Sequence, residues 1–407
     1  MPYTLSRSQL YKDLHQAYLD ARRHKRSRAY QQRFERDMYW QLEYLCDELY
    51  TRTYKPAPST CFIIEDPKKR EIIAAEFRDR IVHHLFYNYT HQLFERTFIA
   101  DSYSCIKGRG THYGINRLEH HIRQESQNYT RRCYVLKMDI KGYFMNINRQ
   151  RLLEICRESL HCMMSHRVEK GSRETWADRL DIRFIDYLAE LIITLNPTEN
   201  CRRIGWPDDW EGLPDSKSLF QSSDGCGLPI GNLTSQLFSN VYLNELDQWM
   251  KRVMGCRHYG RYVDDFYVVS TDSGWLVSLL PMVRDFLHTE LGLTLHEDKT
   301  VVCDVRRGVE YLGAYLKPWR KYVSSQCLVR MNRHIAVLEA SVSGMPADAA
   351  ALRVRNSLCS FLGVLSHYSS YHLRRSLFID SHRVDFARQY GHFDTDLTKF
   401  IPYNPLS

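Results

Sequence analysis

Tyr262-Val263-Asp264-Asp265 sets two carboxylates side by side between runs rich in Tyr, Val and Phe. Adjacent like charges repel, so the pair calls for a compensating charge. A divalent cation would supply one. Asp139 ends the run CYVLKMD, which reads as a strand, and offers a third carboxylate followed by Gly142 and aromatics. Three carboxylates from two neighbouring strands could hold two Mg²⁺ ions roughly 4 Å apart, the arrangement used for phosphoryl transfer. Mg²⁺ prefers oxygen ligands and keeps positions open for substrate phosphates. A bare Asp-Asp is more often an ordinary exposed turn. The β-rich runs on both sides argue against that here.

A second stretch with chemical potential is GCGLPIGNLTSQLFSN, Gly225 to Asn240. Gly and Pro running into a helix N-terminus can approach a phosphate or nucleotide closely, and Asn232 is placed to cap that helix. The apolar Ile230 in the middle of the turn is unexpected for a phosphate loop. Lys107-Gly108-Arg109-Gly110 forms a basic Gly-rich loop. Arg22-Arg23-His24-Lys25-Arg26 is either a solvated face or a phosphate-contacting one.

The elements that must position these residues follow from periodicity. Residues 5 to about 50 read as helical, with Tyr39, Leu42, Leu45 and Leu49 three and four apart. CFIIEDPKKREIIAAE reads as strand, turn and strand, with the turn at Asp66-Pro67. Helical stretches follow from Phe77, around Arg149–Ser159, over Ile182–Leu195, and from the Gly-Pro turn to about Met250. A polar, Pro- and Trp-containing insertion precedes that turn. Short strands are expected between Leu293 and Leu316, and an Arg- and His-rich helical segment from about Ser324. The pattern predicts an α+β protein of more than one lobe.

The 407 residues, with 26% charged and 43% hydrophobic side chains, describe a folded globular chain. The net charge of +8 fits a nucleic-acid partner and equally fits many basic enzymes that bind none. The 27 tyrosines can stack bases or fill a core. The 12 cysteines form no C-x-x-C, which argues against a zinc ribbon or a secreted disulfide scaffold. No apolar run reaches transmembrane length and the N-terminus shows no signal-peptide core, so no membrane partner and a cytoplasmic location are expected.

YVDD resembles the Y-x-D-D box of reverse transcriptases. KMDIKGYFMNI resembles that family's upstream metal-binding strand, and GLPIGNLTSQLFSNVYL its next motif. LTLHEDKT and EYLGAYL resemble its last two, and DPKKREIIAAEFRDRIVHHLF and SYSCIKGRGTHYGI its fingers motifs. All seven occur in order, over roughly residues 60 to 320. The resemblance implies a right-hand polymerase with helical and β-stranded fingers, a palm built on an antiparallel RRM-like sheet, and an α-helical thumb. The corresponding boundaries are a basic helical extension at 1–55, fingers at 56–131, palm at 132–325 with an insertion at about 160–225, and thumb at 326–407.

Carried over by position, Asp139, Asp264 and Asp265 would be metal ligands, assisted by the Ile140 carbonyl. Two Mg²⁺ ions would serve there, one to activate a primer 3′-hydroxyl and one to steady the pyrophosphate leaving group. Phe144, five residues after Asp139, matches the aromatic gate against a ribose 2′-hydroxyl, or is simply core. Lys69, Arg70, Arg78 and Arg80 match the cations that grip the incoming triphosphate of a dNTP, at least one of them being a structural salt bridge. Lys299 matches a proton donor to the leaving group, or is a solvated lysine beside Glu297 and Asp298. Tyr311-Leu312-Gly313 matches the primer grip, and Ile230 and Gly231 would face the nucleotide.

Leu228-Pro229-Ile230-Gly231 followed by Ser235-Gln236 departs from the family's usual Leu-Pro-Gln-Gly and Ser-Pro. This form resembles reverse transcriptases of diversity-generating retroelements, as do LPDSKSLF and SFLGVLSHYSSYHLRRSLF. Those bacterial and phage enzymes copy a template-repeat RNA into cDNA with errors at adenines, and the cDNA replaces a variable repeat in a target gene. The resemblance implies a small, basic, helical, ring-forming accessory protein, and assigns Ile230 and Gln236 to fidelity. Open alternatives are a retron, abortive-infection or unclassified bacterial reverse transcriptase, or an RNA-binding relative that has lost catalysis. A metal-dependent nuclease has less support, since nothing near the acidic pair resembles a positioned general base.

Overall fold

The computed structural model describes residues 3–23, 28–66 and 68–403. His24, Lys25 and Arg26 of the basic run, and Pro67 of the expected turn, lie outside the described residues.

The N-terminal segment is three helices where one stretch was expected: α1 (Arg7–Ala21), α2 (Ala29–Arg36) and α3 (Met38–Tyr50). Asp37 breaks the last two apart with a non-helical backbone, φ −123° and ψ 32°. Ser6 caps α1 by accepting from the Gln9 N–H. Leu42, Leu45 and Leu49 are buried as the periodicity predicts, but Tyr39 faces solvent. Strands β1 (Ser59–Ile64) and β2 (Arg70–Ala74) pair antiparallel and lead into α4 (Phe77–Thr97) and α5 (Thr111–Glu125).

Next come β3 (Tyr134–Met138), a short α6 (Tyr143–Asn146), α7 (Arg149–Met164), α8 (Ile182–Thr194) and β4 (Cys201–Arg203). The polar insertion is not a bare loop, because β4 adds parallel to β1 and completes a sheet of order β2-β1-β4. Helix α9 (Leu233–Arg252) is followed by β5 (Tyr259–Tyr262), β6 (Asp265–Ser270) and α10 (Ser273–Leu291). Then β7 (Val301–Asp304) joins a four-stranded sheet of order β5-β6-β3-β7. A three-stranded antiparallel sheet follows, from β8 (Val309–Tyr311), β9 (Ala314–Lys317) and β10 (Arg320–Val323).

The C-terminal part holds α11 (Ser325–Val342), α12 (Ala347–Ser366) and α13 (Tyr371–Arg375), then a two-stranded sheet of β11 (Gly391–Phe393) and β12 (Phe400–Pro402). That last sheet departs from the wholly helical expectation. Its Phe393 and Phe400 pack with Phe378 and the apolar faces of α11 and α12, so burying aromatic rings accounts for it. The class is α+β, as expected.

The chain divides into two compact units. One holds residues 1–110, 138–267 and 278–300; the other holds 111–137, 268–277 and 301–407. No helix among the described residues is long and apolar enough to cross a membrane.

Candidate active site

Val263 and Asp264 join β5 to β6, and Val263 sits there at φ 56°. A β-branched residue avoids that region, so something must hold it. Its N–H donates to Ser104 Oγ (3.2 Å) and its carbonyl accepts from Arg261 Nη1 (2.9 Å). Arg261 is wholly buried against Asp247, with Nε–Oδ1 at 2.8 Å and Nη2–Oδ2 at 2.6 Å, a two-pronged pair. Tyr259 Oη donates to the same carboxylate (2.6 Å). Asn240 ties the parts together: its Oδ1 accepts from Arg261 (3.2 Å) and Ser104 (3.0 Å), and its Nδ2 donates to the Ser104 carbonyl (2.8 Å). Burial works against the charge on Arg261, and Asp247 outweighs it, so the guanidinium stays charged.

Sequence reasoning passed over Arg261, Asp247, Asn240 and Ser104. A signal was present: Asn240, Asn244 and Asp247 recur at helical spacing along α9, and all three are buried.

Asp139 follows the last residue of β3 and is buried. Its carbonyl accepts from the His296 N–H (2.7 Å), and the Lys141 N–H donates to the Thr294 carbonyl (2.9 Å). Ile140 therefore faces Leu295 as a pair that exchanges no ladder bond of its own. Burial, then the charge of Asp139, push the Asp264 carboxyl up to about 6, while Lys299 and Arg70 pull it down. Asp265 opens β6 and is half-buried. Lys299 is exposed, and its Nζ lies 2.9 Å from both carboxylate oxygens of Asp139.

The donor chemistry suits a hard cation, since burial and the charge of Asp139 make Asp264 costly to ionise and a positive charge relieves it. Among the described residues no group of three or more His, Cys, Asp or Glu is set to hold a metal ion.

The Gly-Pro turn is fastened on two sides. Gly227 and Leu228 donate to the carbonyls of Ile147 and Phe144 (both 2.8 Å). On the other side the Ile73 N–H donates to the Ile230 carbonyl (2.9 Å), and the Ala75 N–H to Asn232 Oδ1 (3.1 Å). Strand β2 is the edge of its sheet, so the turn closes that edge. Asn232 stands at the N-cap of α9, but its side chain makes no cap bond, because Ala75 has claimed it. Gly231, at φ +131°, would press a Cβ to 3.0 Å from Ile72 and 3.3 Å from the Ile73 carbonyl. The Ile230 and Phe144 side chains pack on one cluster formed by Cys61, Ile73, Met145 and Leu219. Gln236 is exposed, and its Oε1 lies 3.6 Å from Cys105 Sγ.

Leu219 belongs to the insertion, which a buried carboxylate holds in place. Glu71 accepts from Trp210 Nε1 (2.9 Å), Ser218 Oγ (3.1 Å) and the Leu219 N–H (2.7 Å). The four basic residues expected to grip a triphosphate do different things. Arg78 pairs with Glu48. Arg80 donates to the Ala75 carbonyl (2.7 Å) and lies over the Tyr30 ring. Lys69 donates to the Glu211 carbonyl (2.6 Å). Arg70 alone among the four reaches Asp264 with its charge. Tyr311-Leu312-Gly313 forms the β8–β9 turn in the other unit. Leu312 and Gly313 take φ of 49° and 82°, the doubly positive pattern of a tight hairpin.

Residues 191–316 match the family model described as reverse transcriptase (RNA-dependent DNA polymerase). Over that stretch the chain is similar to the reverse transcriptases, a class of RNA-directed DNA polymerases. The match spans Ile230, Asp264, Asp265, Lys299 and Tyr311, while Asp139 and Phe144 lie ahead of it.

Among curated proteins the chain is similar to Protein YkfC of Escherichia coli (strain K12), 24% identical over 307 residues, covering 67% of this chain and 70% of YkfC. Among solved structures it is similar to a C-terminally truncated apo telomerase from Candida tropicalis, with TM-score 0.45, 12% identity and 70% of this chain covered. A telomerase from Candida albicans in complex with a TWJ fragment of telomeric RNA gives TM-score 0.46, 13% identity and 84% of this chain. The chain spans 60% and 58% of those two telomerase chains.

Proposed function

We propose that this chain copies RNA into DNA, and that it does so for a diversity-generating retroelement. The observation that carries the polymerase reading is the strained Val263–Asp264 turn, locked beside Asp139 by a buried polar network. In this reading Asp139, Asp264, Asp265 and the Ile140 carbonyl would hold two Mg²⁺ ions, which would supply positive charge for nucleotidyl transfer. Arg70 is the fingers cation placed to meet a triphosphate, and Lys299 is released from Asp139 to donate a proton to the departing pyrophosphate. In this reading fingers, palm and thumb would occupy 56–131, 132–325 and 326–407, and Tyr311-Leu312-Gly313 would steady the primer. Primer extension of a DNA primer on an RNA template tests the polymerase reading. It is wrong if a folded protein supplied with Mg²⁺, cognate RNA and accessory protein makes no DNA.

Phe144 supports a DNA product, because a ring packed against Met145 and Leu219 is a fixed wall. Phe144→Ala is expected to raise ribonucleotide incorporation by about tenfold or more, since shape alone discriminates on that scale. Competition between dNTP and rNTP in primer extension reads this, and an unchanged ratio removes Phe144 from sugar selection.

The retroelement reading rests on Ile230 and the Ser-Gln motif. An isoleucine can only pack where a glutamine could donate a hydrogen bond to the nucleotide. Ile230→Gln is expected to lower misincorporation several-fold, in line with about 1 kcal/mol for such a bond. Sequencing the products opposite each template base checks it. An unchanged error spectrum ends the role of Ile230 in fidelity. Sequencing cDNA made from the flanking template RNA tests the diversification role and the need for a ring-forming accessory protein.

A further inference from the structure

The unit that holds α5 and the β8–β10 sheet carries an exposed aromatic feature that the polymerase reading leaves unused. Pro318 and Trp319 make the two-residue turn between β9 and β10, with Lys317 and Arg320 paired at its base. Trp319 takes φ 66°, at a turn position that favours glycine, and remains 64% exposed. A bulky ring in a glycine position, turned to solvent, is not explained by packing.

The ring is supported from below. Tyr129 meets it edge-on at 4.9 Å between centroids, and Arg123 lies over it at 5.6 Å. Tyr129 is brought there by three successive left-handed residues after α5, Gln127, Asn128 and Tyr129, with φ of 49°, 55° and 66°. Left-handed residues normally occur singly, so this turn is a specific construction.

Beside the platform runs an open groove of ≈ 720 Å³ along the outer face of α5. Asn116, Gln124, Gln127 and Asn128 line it with amides, and His120 and Arg123 add ring nitrogens and a guanidinium. Its carboxylate, Glu119, is neutralised by Lys321 at 3.0 Å. Arg123 Nε donates to Asn128 Oδ1 at 3.4 Å, and its guanidinium lies over Trp319. Amides and guanidinium match the donor and acceptor edges of unpaired bases, and an aromatic face with cations beside it stacks them.

We propose that Trp319, Tyr129 and Arg123, with the α5 groove, form a binding site for single-stranded nucleic acid. The site does not depend on the polymerase reading. A protein partner is the competing occupant. The cations at the turn and the amide lining favour a polyanion that carries base edges.

The test uses the full chain and 12-nucleotide unpaired RNA and DNA strands carrying 5-iodouracil. Irradiation should crosslink the strand to Trp319 or Tyr129, located by peptide mass spectrometry. Trp319→Gly suits the positive φ and removes the ring, and it should raise Kd by about tenfold or more, the scale of one lost stacking contact. Trp319→Phe should retain most of the affinity. Arg123→Ala should lower the salt dependence of binding by about one phosphate contact. Comparing the RNA and DNA strands shows which is preferred.

The proposal is overturned if folded Trp319→Gly binds both strands as the parent does and no crosslink maps to the platform. It is equally overturned if the substitution abolishes binding of a protein partner while leaving both strands unaffected. Primer extension run in parallel separates the two readings. A parent protein that crosslinks at Trp319 yet makes no DNA even with Mg²⁺, cognate RNA and accessory protein disproves the polymerase and leaves the platform standing.

Discussion

Asp264→Asn is expected to abolish primer extension and at the same time to make the metal-free protein harder to unfold. The loss of activity should reach at least about a hundredfold, the cost of removing one charge partner from a preorganised electrostatic site. The gain in stability has a separate origin. Burial and the neighbouring Asp139 push the Asp264 carboxyl from 3.8 up to about 6, so the folded state binds its proton more tightly than the unfolded chain does. The charged form therefore works against folding. That penalty is fully present above pH 6, fades as pH falls through 6, and is gone below pH 4. Its size at neutral pH is about 2 kcal/mol after allowance for partial solvation.

Thermal melts in chelator should show Asp264→Asn a few degrees above the parent at pH 7.5 and level with it near pH 4. Added Mg²⁺ should narrow the gap by binding the parent's native state. A variant that melts at or below the parent at pH 7.5 contradicts the assignment of Asp264 to a charge-strained site.

Asp247→Asn is expected to cost about 3–5 kcal/mol of stability, because it leaves the Arg261 guanidinium buried without its counter-charge. Activity should fall further than stability does. The Arg261 Nη1 that holds the Val263 carbonyl loses its anchor, and Val263 can relax from φ 56° toward ordinary backbone. Asp264 and Asp265 would then be present and misplaced. Ser104→Ala separates the two effects. It removes the acceptor of the Val263 N–H at a stability cost of only about 1 kcal/mol, yet should slow extension measured well below the melting temperature. If Asp247→Asn melts with the parent, or if Ser104→Ala extends primers at the parental rate, the network does not position the turn.

The acidic turn and its flanking strands were legible because their grammar is local. Tyr262 to Asp265 reads as strand, point and strand from side-chain pattern alone, and the structure has β5 and β6 on either side. The helix behind the Gly-Pro turn was equally plain from its apolar spacing. Three things were not. The break at Asp37 depends on one residue's backbone, which propensity does not dictate. The polar insertion looked like loop because its partner, Glu71, lies more than a hundred residues away and shows nothing of its burial in sequence. Asn232 looked like a helix cap because the cap preference is statistical, and a tertiary partner, the Ala75 N–H, won the same oxygen. The long-range clasps were hidden, and the periodic elements were visible.

Ile230 divides its duties in a way that bears on how such a protein can change over generations. Its carbonyl fastens the edge of β2 through the Ile73 N–H, a bond that any residue at this position would make. The side chain alone meets the cluster around Phe144. Architecture is thus carried by atoms common to every amino acid, and chemistry by atoms that selection can exchange. Under the proposed fidelity role, single substitutions at position 230 would change only what meets that cluster, with the sheet edge sealed at every step.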